Sequence, residues 1–346
     1  MKKRIGIITV YNSVNSGSYL QAMALCKTIE SNGNEVFFYD SKTRKPRKKA
    51  FKTGLWHIIR GGGLKMSIEP IKQYRKFNRL VKKMNIERKI EASDIIVLGS
   101  DEIWNVSRST MSDYPIFWGD GLTNDIISYA PSINNSKVTD LDNFTYVIPA
   151  LKKMKLITVR DEHSKQVLQS IVDLEMKIVV DPTIFSTKEE YITLAKRPEQ
   201  TNFLFVYSRG GEFSENEIHE IKAFAEKREL KIIGAPYMAW VDENVFPDPL
   251  EFLGYLEAAD YVVTGTFHGT IFSIIFNKKF ISIMRNNRKV EEVLNNFSLS
   301  SRGLENNNLE ELLDSSIDYK IVNQLIETKR KESLEILYNG INNIEE

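Results

Sequence analysis

The chain has 346 residues, a formal net charge of +1 and 42% apolar residues, enough material for one large domain or two of ordinary size. No stretch approaches the roughly 20 consecutive apolar residues of a membrane-spanning helix. The single cysteine, Cys26, excludes a disulfide framework and fits a reducing cytoplasm, and four scattered histidines give no metal-ligand spacing.

Taken in chain order, Met1–Arg4 and the apolar run Ile5–Val10 resemble the start of a signal peptide. The run is too short for one, however, and Tyr11-Asn12-Ser13 breaks it without a small-residue cleavage site. It reads as a first buried strand. A helix is expected from about Ser18 to Ser31, ended by Asn32-Gly33 and followed by a strand over Glu35–Tyr39. Cys26 lies on that helix as a small core residue.

Residues 42–90 then carry many Lys and Arg against only two acids, Glu69 and Glu87. This segment reads as a solvated, basic, amphipathic helical insertion, with peripheral docking on an anionic membrane face as the second reading. No recognised nucleic-acid module accompanies it, so nucleic acid is not an expected partner.

Strands are expected at Asp94–Leu98, Asp125–Tyr129, Leu156–Val159 and Lys177–Val180, with a helix opening near Asp161. Asp140-Leu141-Asp142 looks like a metal-binding Asp-x-Asp, but no strand precedes it and a helix start fits better. Asp181-Pro182-Thr183 reads as a turn leading out of the first domain. A polar stretch, Thr187–Thr201, reads as a linker. The alternation then resumes with strands at Phe203–Tyr207, Lys231–Ile233, Asp260–Val263 and Phe280–Ile283. Helices fall between them at Glu215–Arg228, Pro249–Ala259 and His268–Phe276. A polar amphipathic helix from about Tyr319 to Asn343 finishes the chain.

Such alternation is the mark of α/β architecture with parallel sheets. It predicts two Rossmann-like domains, residues 1–186 and 187–318, facing a cleft, and a C-terminal helical region, 319–346. Ligands in such folds gather at the carboxyl ends of strands, where four segments concentrate chemistry. Asn12–Ser18, with Asn15, Ser16 and Gly17, is rich in small hydrogen-bonding groups but lacks the glycine spacing of a dinucleotide or P-loop.

Gly99–Asn105 offers Ser100, Asp101, Glu102, Trp104 and Asn105. Carboxylates and amides of this kind bind sugar hydroxyls, an indole packs on a pyranose ring, and Asp101 or Glu102 can act as a general base. The competing reading is a capped turn with Trp104 in the core. Arg160 ends a strand where Asp161 caps a helix. Its guanidinium can clamp a carboxylate or phosphate, or form a structural pair with an acid. His163, one turn on, is expected at the surface.

The fourth segment is Asp181-Pro182-Thr183, the turn already described, and apart from these four stands Thr264–Thr270, a strand end that opens a helix. Thr266, Phe267, Gly269 and Thr270 surround His268, so a helix N-terminus suited to an anion stands beside a group that moves protons near neutral pH. The alternative is a histidine held under a βα turn. Arg209 is a further candidate anion contact.

In this order, Asn15-Ser16-Gly17 with Leu20-Gln21-Ala22, Gly99–Asn105, Arg160-Asp161-Glu162, Asp181-Pro182-Thr183 and Asp260–Gly269 resemble the polysaccharide pyruvyl transferase family. The resemblance spans roughly residues 5 to 285. It departs at Glu102, where the family usually has Gln, which bears on acceptor choice. It implies a fold like that of the GT-B glycosyltransferases and transfer of pyruvate from phosphoenolpyruvate to a sugar, as a ketal bridging two hydroxyls. In that scheme Arg160 and the Thr266–Thr270 turn hold the donor. His268 protonates its methylene carbon, and Asp101 deprotonates the attacking hydroxyl.

No metal or bound cofactor is implied. The expected partner is a glycan acceptor, lipid-linked and met by a cytoplasmic protein at the inner membrane face. Two rival readings stand beside this one: a glycosyltransferase using a nucleotide sugar, and a non-catalytic sugar-binding or scaffold protein of an envelope assembly complex. No oligomeric state follows from the sequence.

Overall fold

The computed structural model describes residues 2–40, 52, 63–208, 213–285, 287–304 and 308–343. The chain forms two compact units, Met1–Phe185 with Thr328–Glu346, and Ser186–Glu327.

In the first unit, β1 (Arg4–Ile8), β2 (Glu35–Tyr39), β3 (Ile86–Glu87), β4 (Ile95–Leu98) and β5 (Asp125–Ser128) make a parallel sheet in the order β3-β2-β1-β4-β5. All four residues of β4 are buried. That is the continuous apolar run expected of a strand covered on both faces. Helix α1 (Ser16–Ser31) is capped by Asn15, whose side chain accepts from the Gly17 and Ser18 amides at 3.0 and 3.4 Å. It ends at Gly33, whose φ of 87° suits glycine. Cys26 is buried on this helix, and burial pushes its thiol up to about 12. The thiol is therefore a core group and not a nucleophile.

Helix α2 (Gly63–Val81) follows, with Phe77 packed edge-on against Tyr19 at 5.6 Å. Residues 42–51 and 53–62 of the expected basic insertion lie outside the described residues. A short parallel pair, β6 (Thr158–Val159) and β7 (Lys177–Ile178), continues the unit beside helix α3 (Glu162–Gln169). Asp140 is the third residue of a short helix, Val138–Leu141, and bonds back to the Lys137 amide at 2.7 Å. It is a helix start, as its surroundings indicated.

The second unit begins with a departure from the sequence reading. The polar stretch after residue 187 is not a bare linker, for it contains helix α4 (Lys188–Leu194). Thr187 and Glu190 form a reciprocal capping box, and Tyr191, 2% exposed, packs edge-on against Phe272 at 5.0 Å. One buried ring, worth about 2 kcal/mol, supplies most of the burial that a longer apolar stripe would otherwise provide.

Strands β8 (Phe203–Tyr207), β9 (Lys231–Ala235), β10 (Glu243–Asn244), β11 (Tyr261–Thr264), β12 (Lys279–Ile283) and β13 (Gly303–Leu304) form a second parallel sheet, ordered β10-β9-β8-β11-β12-β13. Helices α5 (Glu215–Lys227) and α6 (Pro249–Ala258) open on capping boxes from Ser214 and Asp248. Helices α7 (Phe267–Ile275) and α8 (Arg288–Asn296) follow β11 and β12.

The last helix, α9 (Tyr319–Asn342), is not a separate region: its residues to Glu327 group with the second unit and those from Thr328 with the first. Anchors account for the division. Tyr319 hydroxyl donates to the Lys278 carbonyl. Further along, Ser333 hydroxyl accepts from the Val180 amide at 3.1 Å, and Lys3 Nζ donates to the Ile341 carbonyl at 2.8 Å.

Both sheets carry the 3-2-1-4-5 order of a doubly wound fold. Its strand order reverses between β1 and β4 in one unit and between β8 and β11 in the other, and a crevice for ligands opens at such reversals. The candidate residues cluster beside these two points.

Candidate functional site

In the first unit the segments after β1 and β4 are tied together. Ser18 hydroxyl donates to Asp101 Oδ2 at 2.6 Å, and Thr9 hydroxyl donates to the Ser100 carbonyl at 3.0 Å. Between them lies Gln21, fully buried. Its amide donates to the Ser18 carbonyl at 2.8 Å and to Thr9 and Val10 at 3.2 Å, while its oxygen accepts from Ser100 hydroxyl at 3.0 Å. Gln21 is thus the organiser of this corner.

The backbone there has special needs. Gly99 has φ of 121°, and a Cβ on it would lie 2.1 Å from the Tyr129 carbonyl oxygen, so no side chain fits. Asp101 is left-handed at φ 73°, a region that Asp tolerates better than most residues. Its Oδ1 accepts from the Glu102 amide at 2.8 Å. The carboxylate is half-buried and in reach of solvent.

Glu102 is only 6% exposed. Its Oε2 accepts from Arg108 at 3.1 Å, Asn134 Nδ2 at 3.2 Å and Asn105 Nδ2 at 3.4 Å. Asn105 Oδ1 in turn accepts from the Ser107 amide and Ser136 hydroxyl, both at 3.2 Å. Glu102 is therefore a buried hub, and Arg108 is the outer member of the group. Trp104 does not offer a face to a sugar. It has no exposed surface, stacks on Trp118 at 4.7 Å, and donates its indole N–H to the Phe117 carbonyl at 2.9 Å. Its size makes burial the larger gain, and the expectation of a sugar platform is corrected.

The Arg160 guanidinium is also more enclosed than the clamp reading expected. It donates to Asp181 Oδ2 at 3.1 Å, with the two side chains 4% and 1% exposed. Burial is the largest influence on it and opposes its charge. Asp181, then Asp101, Asp161 and Glu102, together outweigh burial and leave its pKa raised. Asp181 is fixed by Thr183, whose amide and hydroxyl donate to Oδ1 at 3.0 and 2.8 Å. Asp161 caps α3 by accepting from the Ser164 amide at 2.8 Å. Asp181-Pro182-Thr183 is thus part of this network and not merely an exit turn. His163 is half-buried, with Nε2 at 3.0 Å from the Ser136 carbonyl, where a surface position was expected.

In the second unit the turn between β11 and α7 is built from hydroxyls. Thr264 hydroxyl donates to the Tyr207 carbonyl at 2.7 Å, bridging the ends of β8 and β11, and accepts from the Thr266 amide at 3.1 Å. Thr266 caps α7 by accepting from the Gly269 amide at 3.0 Å. A Cβ on Gly269 would stand 2.1 Å from the Thr264 hydroxyl and 2.6 Å from that of Thr266, so the turn requires glycine. Thr270 hydroxyl donates to the Thr266 carbonyl at 3.0 Å.

His268 is 9% exposed, one residue inside the helix, with its ring edge-on to Phe267 at 5.1 Å. The positive end of the α7 dipole thus meets a histidine at the strand reversal. Asn287 Nδ2 donates to the Gly265 carbonyl at 3.3 Å, which brings the start of α8 against the same turn. Arg209 lies outside the described residues.

Of the residues singled out in the sequence, Asn15, Ser16, Gly17, Ser100, Asp101, Glu102, Asn105 and Arg160 converge in the first unit, while Thr266, Phe267, His268, Gly269 and Thr270 form one turn in the second. Sequence reasoning did not mark Ser18, Arg108, Asn134 or Asp181 as site residues. Asp181 had a local signal, an acid before Pro at a strand end. Asn134 had none. Among the described residues no group of His, Cys, Asp and Glu is placed to hold a metal ion, and no helix is long and apolar enough to cross a membrane.

Solved structures share this architecture at very low identity. A Listeria monocytogenes chain assigned as a UDP-N-acetylglucosamine 2-epimerase matches with a TM-score of 0.54 and 9% identity, over 97% of this chain and 90% of that one. The UDP-GlcNAc 2-epimerase of Methanocaldococcus jannaschii matches with a TM-score of 0.51 and 12% identity, over 98% and 99%. MnaA of S. aureus, solved with UDP, matches with a TM-score of 0.51 and 11% identity, over 100% and 98%. At such identities these likenesses establish the fold, a GT-B-like pairing of two Rossmann-like units, and nothing further. No curated protein matches the chain in sequence. The model of the polysaccharide pyruvyl transferase family matches residues 15–287. That span covers most of the chain, with the Gly99–Asn105 and Thr264–Thr270 segments inside it, and the chain belongs to the polysaccharide pyruvyl transferase family.

Proposed function

We propose that this protein moves the enolpyruvyl group of phosphoenolpyruvate onto a sugar of a cell-surface polysaccharide or its lipid-linked precursor, forming a pyruvate ketal and releasing phosphate. The observation that carries this reading is His268 at the N-terminus of α7, in a chain of this family. Phosphoenolpyruvate bears a phosphate and a carboxylate, and a helix N-terminus favours both. The charge of the first unit favours the acceptor instead. Asp101, Glu102, Asp161 and Asp181 surround Arg160, a setting hostile to a polyanion and suited to neutral sugar hydroxyls.

The reaction then runs in balance. The His268 imidazolium gives a proton to C3 of the donor, which makes C2 electrophilic. A sugar hydroxyl, relieved of its proton by Asp101, attacks C2. Phosphate leaves with the C2–O bond electrons, the second hydroxyl closes the ketal, and its proton passes to solvent or phosphate. Arg160 acts as a positioning residue that holds the acids in place. No metal or bound cofactor enters the scheme.

Calorimetry with phosphoenolpyruvate, and with UDP and CMP as competitors, tests the donor. Binding of phosphoenolpyruvate that ignores the nucleotides supports the reading. Nucleotide binding without phosphoenolpyruvate would replace it with a nucleotide-sugar glycosyltransferase. Phosphate release on adding glycan acceptors, lost in His268→Gln, separates an enzyme from a sugar-binding scaffold.

A further inference from the structure

We infer that the outward face of α2 is an electrostatic docking surface for a membrane leaflet rich in anionic lipid. From Ile68 to Val81 the buried residues of this helix are Pro70, Phe77 and Val81, and Phe77 is 1% exposed against Tyr19. At 100° per residue, Ile68, Lys72, Arg75 and Arg79 fall within about 40° of one line on the opposite side. All four are exposed, as are Lys82 and Lys83 just beyond the helix end. From Lys72 to Lys83 the cations span roughly 16 Å.

Few acids answer them. Glu69 pairs with Lys72 at 2.7 Å, but Glu87 is taken by Arg4 at 2.7 Å and Asp40 by Arg88 at 3.1 Å. The arrangement decides both the mode and the partner. An interfacial helix that inserts must offer its apolar side to lipid, and here that side is packed on the protein. Contact is therefore through charge and reversible by salt. A single-stranded nucleic acid would need aromatic platforms among the cations, and none lies on this line. An exposed helix face with its charges in a row suits a broad anionic surface better than a polymer that needs a groove.

This inference is independent of the transfer chemistry proposed above. Its test is co-sedimentation of the full chain with vesicles of phosphatidylglycerol and phosphatidylcholine, beside vesicles of phosphatidylcholine alone. We expect binding only to the anionic vesicles, abolished between about 0.1 M and about 1 M salt as the screening length falls from about 10 to about 3 Å. Lys72→Glu, Arg75→Glu and Arg79→Glu together should weaken it at least 100-fold, since each cation near an anionic leaflet contributes roughly a factor of five. Circular dichroism melting checks that the variant folds. The corresponding triple Gln variant, which removes charge without reversing it, keeps the test valid should the Glu variant not fold. Absence of binding to anionic vesicles, equal binding to neutral ones, or undiminished binding by a folded variant overturns the inference. So does retention on heparin without vesicle binding.

Discussion

Replacing Arg160 separates two roles that the sequence left open, an anion clamp and a buried ion pair. With side chains 4% and 1% exposed, Arg160 and Asp181 are far from screening water. Removing one partner of such a pair costs about 3–5 kcal/mol, because the other charge stays buried and unanswered. Asp181 keeps two donors from Thr183, which argues for the lower end. Asp101, Asp161 and Glu102 lose the same cation, which argues against a smaller value.

We therefore expect Arg160→Ala to lose about 3–4 kcal/mol. At about 2–4 °C per kcal/mol for a unit of this size, the melting temperature measured by circular dichroism should fall by roughly 6–16 °C. Arg160→Ala with Asp181→Asn should recover part of that loss, a coupling that a double-mutant cycle measures. Arg160→Lys should fold and still bind phosphoenolpyruvate. A loss in Arg160→Ala below about 1 kcal/mol, or additive single and double variants, would refute the ion-pair reasoning. A folded, stable Arg160→Lys with phosphoenolpyruvate affinity down by about 100-fold or more would refute it from the other side, since about 3 kcal/mol is then owed to donor contact.

Three further outcomes follow from the geometry. His268→Gln should reduce product formation by about 10²–10⁴-fold while leaving phosphoenolpyruvate binding within reach of calorimetry. Gly269→Ala should disturb the whole β11–α7 turn, because its methyl meets the Thr264 hydroxyl at 2.1 Å. Thermal melting should report a loss of about 1–3 kcal/mol, the usual cost of overpacking, together with weakened donor binding. Trp104→Phe should lower stability by about 1–3 kcal/mol through the lost indole hydrogen bond and volume. It should leave acceptor KM unchanged, and a raised KM at unchanged stability would restore the sugar-platform role.

The α/β alternation was legible because its signals are local. β4 and β8 are continuous apolar runs, and helix starts carry their caps in sequence, as Ser214 does for α5. Strands β3, β10 and β13 have two residues each, too few to show a period, and their pairing is decided by neighbours distant in sequence. Helix α4 was masked by its polarity, since Tyr191 supplies its one fully buried ring. The site divides in the same way. The β11–α7 turn was readable because Thr264, Thr266, His268 and Gly269 fall within six residues of one another in sequence. The Glu102 hub was not, because Asn134 donates across 32 positions and Asp181 reaches Arg160 across 21.

Glu102 shows how a departure from a family pattern can be absorbed. The motif has Gln at this place as a rule, and a carboxylate with 6% exposure would be costly there without an answering charge. Arg108 supplies it at 3.1 Å, while Asn134 and Asn105 donate to the same oxygen. The pair is asymmetric: the Arg108 side chain is 44% exposed against 8% for Glu102. The group in reach of a substrate is therefore the guanidinium, held by a buried carboxylate that a substrate would not touch. A chain with Gln at residue 102 would have no fixed charge to hold an arginine at residue 108. On the acceptor role proposed for this cluster, any effect of Glu102 would therefore run through Arg108, a bidentate hydrogen-bond donor that pairs with it at 3.1 Å.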